Sequence, residues 1–149
     1  MDARAIVDSG FLVALTNEAD AHHEWALEQL PSLPGPWLTA EGCISEAMFL
    51  FEGAASGRNG VVNLFKSLEQ GRLMSQHLLP EETRGVAAEL TRYQDHWVDF
   101  ADACIVRLSD LNPALPIASV DRRDFTVYFR SRPDRDLRLP PGARPKRHR

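Results

Sequence analysis

An α/β fold, with a central, mostly parallel sheet of four to five strands flanked by helices on both faces, is what this chain predicts. Short apolar runs alternate with longer segments of helical period, the order strand–helix–strand recurs, and no internal repeat or low-complexity linker interrupts it. Its 149 residues, 44% hydrophobic and 26% charged, are enough for one ordinary domain with a real core.

Ala5 to Val7 form an apolar run ending at Asp8, which predicts a short buried first strand. Phe11, Leu12 and Leu15 then carry helical spacing, and Thr16 to Asp20 break it, with Asp20 placed to cap the next helix. That helix is expected from His22 to Leu30, presenting Trp25, Leu27 and Leu30, and Pro31 to Pro36 terminate it. Trp37 to Thr39 predict strand two. From Glu41 to Ala55 the spacing Ile44, Met48, Phe51, Ala55 is helical, and Gly57 to Gln70 repeats it through Val61, Leu64, Phe65 and Leu68. Residues 53–60 join these two helices. Leu73 to Leu79 predict a third strand, and Pro80 opens a helix at a position where its missing N–H is harmless. Ala101 to Leu111 form a further apolar helix, Pro116 to Val120 a fourth strand, and Leu137 to Leu139 a last one. Crossovers in such sheets are right-handed, and ligands gather beyond the carboxyl ends of the strands.

Several classes of protein are disfavoured. No apolar run approaches the ~20 residues that span a bilayer. The start MDARAIVDSG lacks the basic and apolar regions of a signal peptide, so a cytoplasmic protein without membrane contact is expected. Cys43 and Cys104 lie among apolar neighbours without CxxC spacing and read as reduced packing residues. The net charge of −4 conceals a division, because residues 130–149 hold eight of the 17 Lys/Arg and two of the 21 Asp/Glu. Residues 1–139 read as the folded domain and 140–149 as a basic, Pro-rich, mobile tail. That end is either a solubilising terminus or an electrostatic arm that draws a polyanion towards an otherwise acidic body.

Asp8, Glu46, Asp102 and Asp121 each sit inside or at the end of an apolar stretch. Burying an isolated carboxylate costs several kcal/mol, so ionised acids in such places need a cation or a hydrogen-bond network. Asp8 and Asp121 follow the first and fourth strands; Glu46 has Gly42, Cys43, Phe49 and Leu50 one turn away. Asp102 has Val98, Ile105 and Val106 within a turn, and Asp99 precedes it by three residues on the same helical face. Singly, each acid has a bland explanation: Asp8 and Asp121 as helix caps, Glu46 as an arginine partner, Asp99 as the cap before Ala101. Jointly they point to a shared site for magnesium or manganese, with Glu41 and Glu52 weaker candidates. His22 and His23 diverge by ~100° on a helix and lack a third histidine nearby, so both read as surface residues. Arg122 and Arg123 either contact substrate phosphate or offset the acids, and Trp97 and Phe100 are expected in the core.

The segment DFADACIVRLSD (Asp99 to Asp110), followed by IASVDRRDF (Ile117 to Phe125), with IVDSGFLVAL at the start and ISEAMFL between them, resembles the PIN-domain ribonucleases. Within that family it is most similar to the VapC-type toxins of bacterial toxin–antitoxin pairs. The resemblance covers nearly the whole chain. It implies a PIN-like fold and a metal-dependent endoribonuclease, a hydrolase of RNA phosphodiester bonds, using Mg2+ or Mn2+. Asp8, Glu46, Asp102 and Asp121 match the family's acidic metal-binding quartet, with Asp8 and Asp102 as principal ligands. Ser119 matches a hydroxyl position often filled by threonine, and Asp99 an additional acidic position. Gly10 and Ser9 fall in a stretch of variable identity, and LNPALP lacks the usual glycine; neither removes a ligand. The resemblance also implies a homodimer and a small antitoxin partner covering the acidic groove. Two other classes stand against it. A noncatalytic PIN-like RNA- or protein-binding module is disfavoured by the complete quartet. A phosphotransfer receiver or aspartyl-phosphate phosphatase is disfavoured because Asp8-Ser9-Gly10 is not DxD and Lys66 is the only interior lysine.

Overall fold

The computed structural model describes residues 2–142. In chain order these form β1 (Ala5–Val7), α1 (Ser9–Thr16), α2 (His23–Gln29) running into a 3-10 turn (Leu30–Ser32), β2 (Trp37–Ala40), α3 (Glu41–Glu52) and α4 (Gly57–Glu69). There follow β3 (Leu73–Gln76), α5 (Thr83–Leu90), α6 (Phe100–Leu111), β4 (Ile117–Ala118), α7 (Arg122–Phe129) and β5 (Leu137–Arg138). All pairings are parallel, in the order β3-β2-β1-β4-β5. Every connection between strands carries at least one helix, so the expected α/β architecture with a covered parallel sheet is what the chain adopts.

Alternation along the strands divides the core in two. Ile6, Leu38 and Ile117 point to one face and pack with Val86, Ile105, Leu108, Phe125 and Tyr128 from α5, α6 and α7. Ala5, Val7, Leu73 and Ala118 point to the other, against Phe11, Leu12, Ala26 and Leu64 from α1, α2 and α4. Helix α3 belongs to both, giving Cys43 to the first cluster and Ala47 and Phe51 to the second. Its contact with α4 is so close that a Cβ on Gly60 would lie 2.2 Å from the Phe51 ring. Both cysteines are buried and unpaired, as packing residues.

Several boundaries differ from expectation, for reasons visible in the register. β3 stops at Gln76 because its partner β2 ends at Ala40, where α3 begins, and Ala40 pairs with Gln76. β4 is two residues long because β1 ends at Val7, opposite Ala118. Asp20 does not cap α2: its carboxylate accepts from His22 N (2.8 Å) two residues on, stabilising the preceding turn, and His22 is the cap residue. Pro80 does not open a helix; it lies in a turn whose carbonyl accepts from the Thr83 hydroxyl (2.7 Å), and α5 starts only there.

The basic C-terminal segment is in large part structural. Arg132 donates to both carboxylate oxygens of Asp110 (2.8 and 2.9 Å), to Glu89 Oε2 (3.1 Å) and to the Tyr128 carbonyl (2.9 Å), joining α5, α6 and α7. Arg135 adds bonds to Asp110 and the Ser109 hydroxyl, and Arg138 pairs with Asp136. Burial alone would raise the Asp110 carboxyl, but hydrogen bonds from Arg132 and Arg135 outweigh it and hold it below its ordinary value. Pro140 is buried and its carbonyl accepts from Arg122 (3.1 Å); residues 143–149, most of the expected tail, lie outside the described residues. Because Arg132 and Glu89 are nearly inaccessible, Arg132→Met should lower stability by about 3–5 kcal/mol through the unpaired acids it leaves, read as a reduced urea midpoint with unchanged slope.

Candidate metal centre

The sheet order places a switch point between β1 and β4: the chain leaves β1 outward through β2 and β3, then returns to β1's other side. Crossovers diverge there and leave a crevice at the carboxyl ends of the two strands. Asp8 follows β1 directly, and Ser119, Val120 and Asp121 follow β4.

Asp8 is 4% exposed, and both its oxygens are used. Oδ1 accepts from Phe11 N (2.9 Å), capping α1, and Oδ2 accepts from the Ser119 hydroxyl (2.5 Å). The fully buried Ser119 Oγ also accepts from Asp121 N (3.0 Å), tying the two strand ends together. Asp121 in turn caps α7, its Oδ1 accepting from Asp124 N (3.0 Å). Capping and a shared site are therefore not rival explanations for these two acids. Asp102 lies buried in the first turn of α6, with Oδ2 accepting from the Tyr128 hydroxyl (3.2 Å). Glu46 is half-buried on α3 and has no arginine partner among the described residues.

These acids influence one another's charge. Burial pushes Asp8 up to about 7; the Ser119 and Phe11 hydrogen bonds oppose this, and the charges of Glu46 and Asp121 add to it. Asp102 is pushed up to about 8, by burial first and then by Asp8 and Glu46, with the Tyr128 hydroxyl opposing and Asp121 adding. Glu46 and Asp121 thus act on both Asp8 and Asp102.

Asp124 and Tyr128 join the site without being among the residues the sequence points to. Carboxylate oxygens of Asp102, Asp121 and Asp124 lie within 4.8 Å of one another, close enough to share one ion. Burial and then Asp121 raise the Asp124 carboxyl. Its signal was the i, i+3 spacing from Asp121 in VDRRDF, which puts both acids on one helical face. Tyr128 carries none in the sequence, since it reaches Asp102 only through tertiary packing. His96 Nε2 lies 3.3 Å from Asp124 Oδ1, outside hydrogen-bond geometry.

The other candidates distribute differently. Asp99 is exposed; its carbonyl accepts from Ala103 N at the start of α6, but its carboxylate does not cap that helix. Arg122 is held by the Pro140 carbonyl, while Arg123 is exposed and its charge lowers the Asp124 carboxyl. Glu41 pairs with His77 (2.5 Å) at the surface, Glu52 is exposed, and His23 bonds the Ala14 carbonyl (2.6 Å). Trp97 and Phe100 are not core residues: Trp97 is 87% and Phe100 45% exposed, because Val98 between them takes the buried position. The donor set fits a hard divalent cation, since it is all carboxylate oxygen and no lysine or arginine pairs with Asp8, Glu46, Asp102 or Asp121 among the described residues.

This sheet order and helix arrangement recur in solved protein structures. A solved example is VapC20 of Mycobacterium tuberculosis, a sarcin–ricin loop cleaving toxin, which superposes with a TM-score of 0.71 over 83% of this chain and 94% of that one at 20% identity. No protein-family model and no curated protein sequence matches the chain. No helix among the described residues is long and apolar enough to cross a membrane.

Folding raises Asp8 and Asp102 from an ordinary value of 3.8 to about 7 and about 8. The folded state therefore holds extra protons between these limits, and their contribution to stability, full below about pH 4, is lost as pH rises to about 8. In chelator, Asp8→Asn and Asp102→Asn should gain melting temperature relative to the parent protein on going from pH 5 to pH 8, by several degrees. Added magnesium or manganese should favour the parent instead, as a scan of melting temperature against pH would show.

Proposed function

We propose that this protein is a divalent-metal-dependent endoribonuclease, acting in the cytoplasm as the toxin of a type II toxin–antitoxin pair. What supports this reading most is that the charges of Glu46 and Asp121 act on both Asp8 and Asp102, that carboxylate oxygens of Asp102, Asp121 and Asp124 lie within 4.8 Å of one another, and that no lysine or arginine pairs with these acids among the described residues. Such a cluster is costly unless a cation completes it. The fold shared with an RNA-cleaving toxin supports RNA as the substrate class. A noncatalytic binding module would have no use for so unfavourable a concentration of acids.

Asp8 and Asp102 would be the principal ligands, with Asp121, Asp124 and Glu46 completing the cage directly or through water. When bound, Mg2+ or Mn2+ supplies a lowered pKa for water and neutralises charge that builds on the phosphate oxygens. Ser119 orients Asp8 and fixes the backbone of Asp121, and Tyr128 orients Asp102. Glu46, half-buried and free of hydrogen-bond partners among the described residues, would accept a proton from attacking water. Asp99, exposed at the head of α6, would act as an outer acidic group. Arg123 and the four Lys/Arg of residues 143–149 provide positive charge to draw RNA towards an acidic groove.

A homodimer is supported by the exposed Phe49 (74%), Leu50, Val62 (64%) and Phe65 (50%) on α3 and α4, while Phe51 and Leu64 beside them are core. The antitoxin would cover the acidic groove.

Purified protein should cleave RNA only with magnesium or manganese. Asp8→Asn, which keeps a good capping residue, and Asp102→Asn should lose more activity than the roughly 10–100-fold expected of Ser119→Ala. Equal cleavage by all of these proteins would exclude the assignment. Separately, Phe49→Asp with Phe65→Asp should convert a dimer to a monomer in light scattering while leaving the circular dichroism spectrum intact.

A further inference from the structure

A cavity lies at the same carboxyl edge of the sheet as the acidic residues and is walled by the helices that carry Glu46 and Asp102. It has a volume of about 280 Å³ and lies beyond the carboxyl ends of β2 and β3, between the first turns of α3 and α6. One wall is Phe100, two residues before Asp102; another is Ser45, the neighbour of Glu46. Phe100 and Asp102 project to different sides of α6, about 200° apart, and the link between the cavity and the acids runs along α3: Phe100 packs on Gly42, one turn before Glu46 on the same helical face.

The cavity has the chemistry of a flat heterocycle's seat. Phe100 is 45% exposed, and its ring is positioned by α3: a Cβ on Gly42 would lie 3.2 Å from its Cδ1 and Cε1. Only a glycine there lets the ring settle against the helix. Facing this apolar surface are polar groups with unused capacity. The half-buried Gln76 side chain, at the end of β3, makes no hydrogen bond among the described residues. His77 is linked to Glu41, and α3 has no side-chain cap, which leaves first-turn N–H groups available at the same wall.

We propose that this cavity is a nucleobase subsite, which takes one unpaired base of the RNA strand next to the phosphate held at the acidic centre. Phe100 stacks on the face of the base, and Gln76 reads its hydrogen-bonding edge. Single-stranded RNA is recognised in this manner, by stacking of splayed bases on aromatic rings and by bonds to their edges. The proposal rests on the nuclease reading for its substrate, but its test does not require turnover.

Fluorescence anisotropy of the full chain with short single-stranded RNAs, either intact or carrying one abasic nucleotide at successive positions, separates the possibilities. Phe100→Ala should weaken binding of intact RNA about ten-fold and Phe100→Tyr should restore it. An abasic nucleotide at one position should weaken the parent protein by a similar factor yet cost Phe100→Ala nothing further. Gln76→Ala, at a position that packs less, should change which base is preferred there. The subsite is overturned if Phe100→Ala and Gln76→Ala bind every RNA as the parent does, if abasic losses add to the substitutions, or if the parent binds none. Binding that depends on Phe100 without hydrolysis in magnesium or manganese would refute the nuclease reading and keep the subsite. Hydrolysis and binding indifferent to Phe100 and Gln76 would do the reverse.

Discussion

One hydroxyl holds the centre of this molecule together. Ser119 Oγ donates to Asp8 and accepts from the backbone of Asp121, so it joins the ends of two neighbouring strands where their chains part. The backbone ladder between β1 and β4 ends at Asp8 N and the Ala118 carbonyl, and the serine extends the link to the side chains beyond it. Everything that faces the crevice is referenced to it. Asp8 starts α1, Asp121 starts α7, and the two helices carry the opposite cores of the sheet away from the same point.

The site therefore costs little additional architecture. A capping carboxylate spends one oxygen on an amide at the head of a helix and has its second free for another purpose. At Asp8 that second oxygen takes the serine; at Asp121 it is left to the crevice. What remains uncompensated is charge. Burial and mutual repulsion raise both Asp8 and Asp102, and the nearest strong ionic network, at Arg132, is spent on Asp110 and Glu89 instead. Cations in this protein stabilise the sheet's flank and leave the acidic centre to solve its own electrostatics.

Much of this was legible in the chain, and the limits of legibility have physical causes. The strand run Ala5 to Val7 and the acids after it are local signals, since apolar runs and their end points are written in consecutive residues. The length of β3 is not, because it is decided by where β2 stops. Asp102 could be singled out by the apolar residues around it, whereas Tyr128 could not, because its bond to Asp102 spans 26 residues and exists only in the folded packing. Trp97 and Phe100 looked like core by composition alone. The loop into α6 had one buried place to fill, and Val98 fills it. Among the basic residues that follow α7, Arg132 and Arg135 form a clamp that the sequence did not reveal, since ion pairing depends on where Asp110 comes to rest.

Helix α3 lies across the end of the sheet with side chains locked into both cores, Cys43 on one side and Ala47 and Phe51 on the other. A rod pinned at two bearings cannot roll about its own axis without disturbing both. Glu46 and the exposed Phe49, one turn apart on that rod, are therefore held at a fixed spacing.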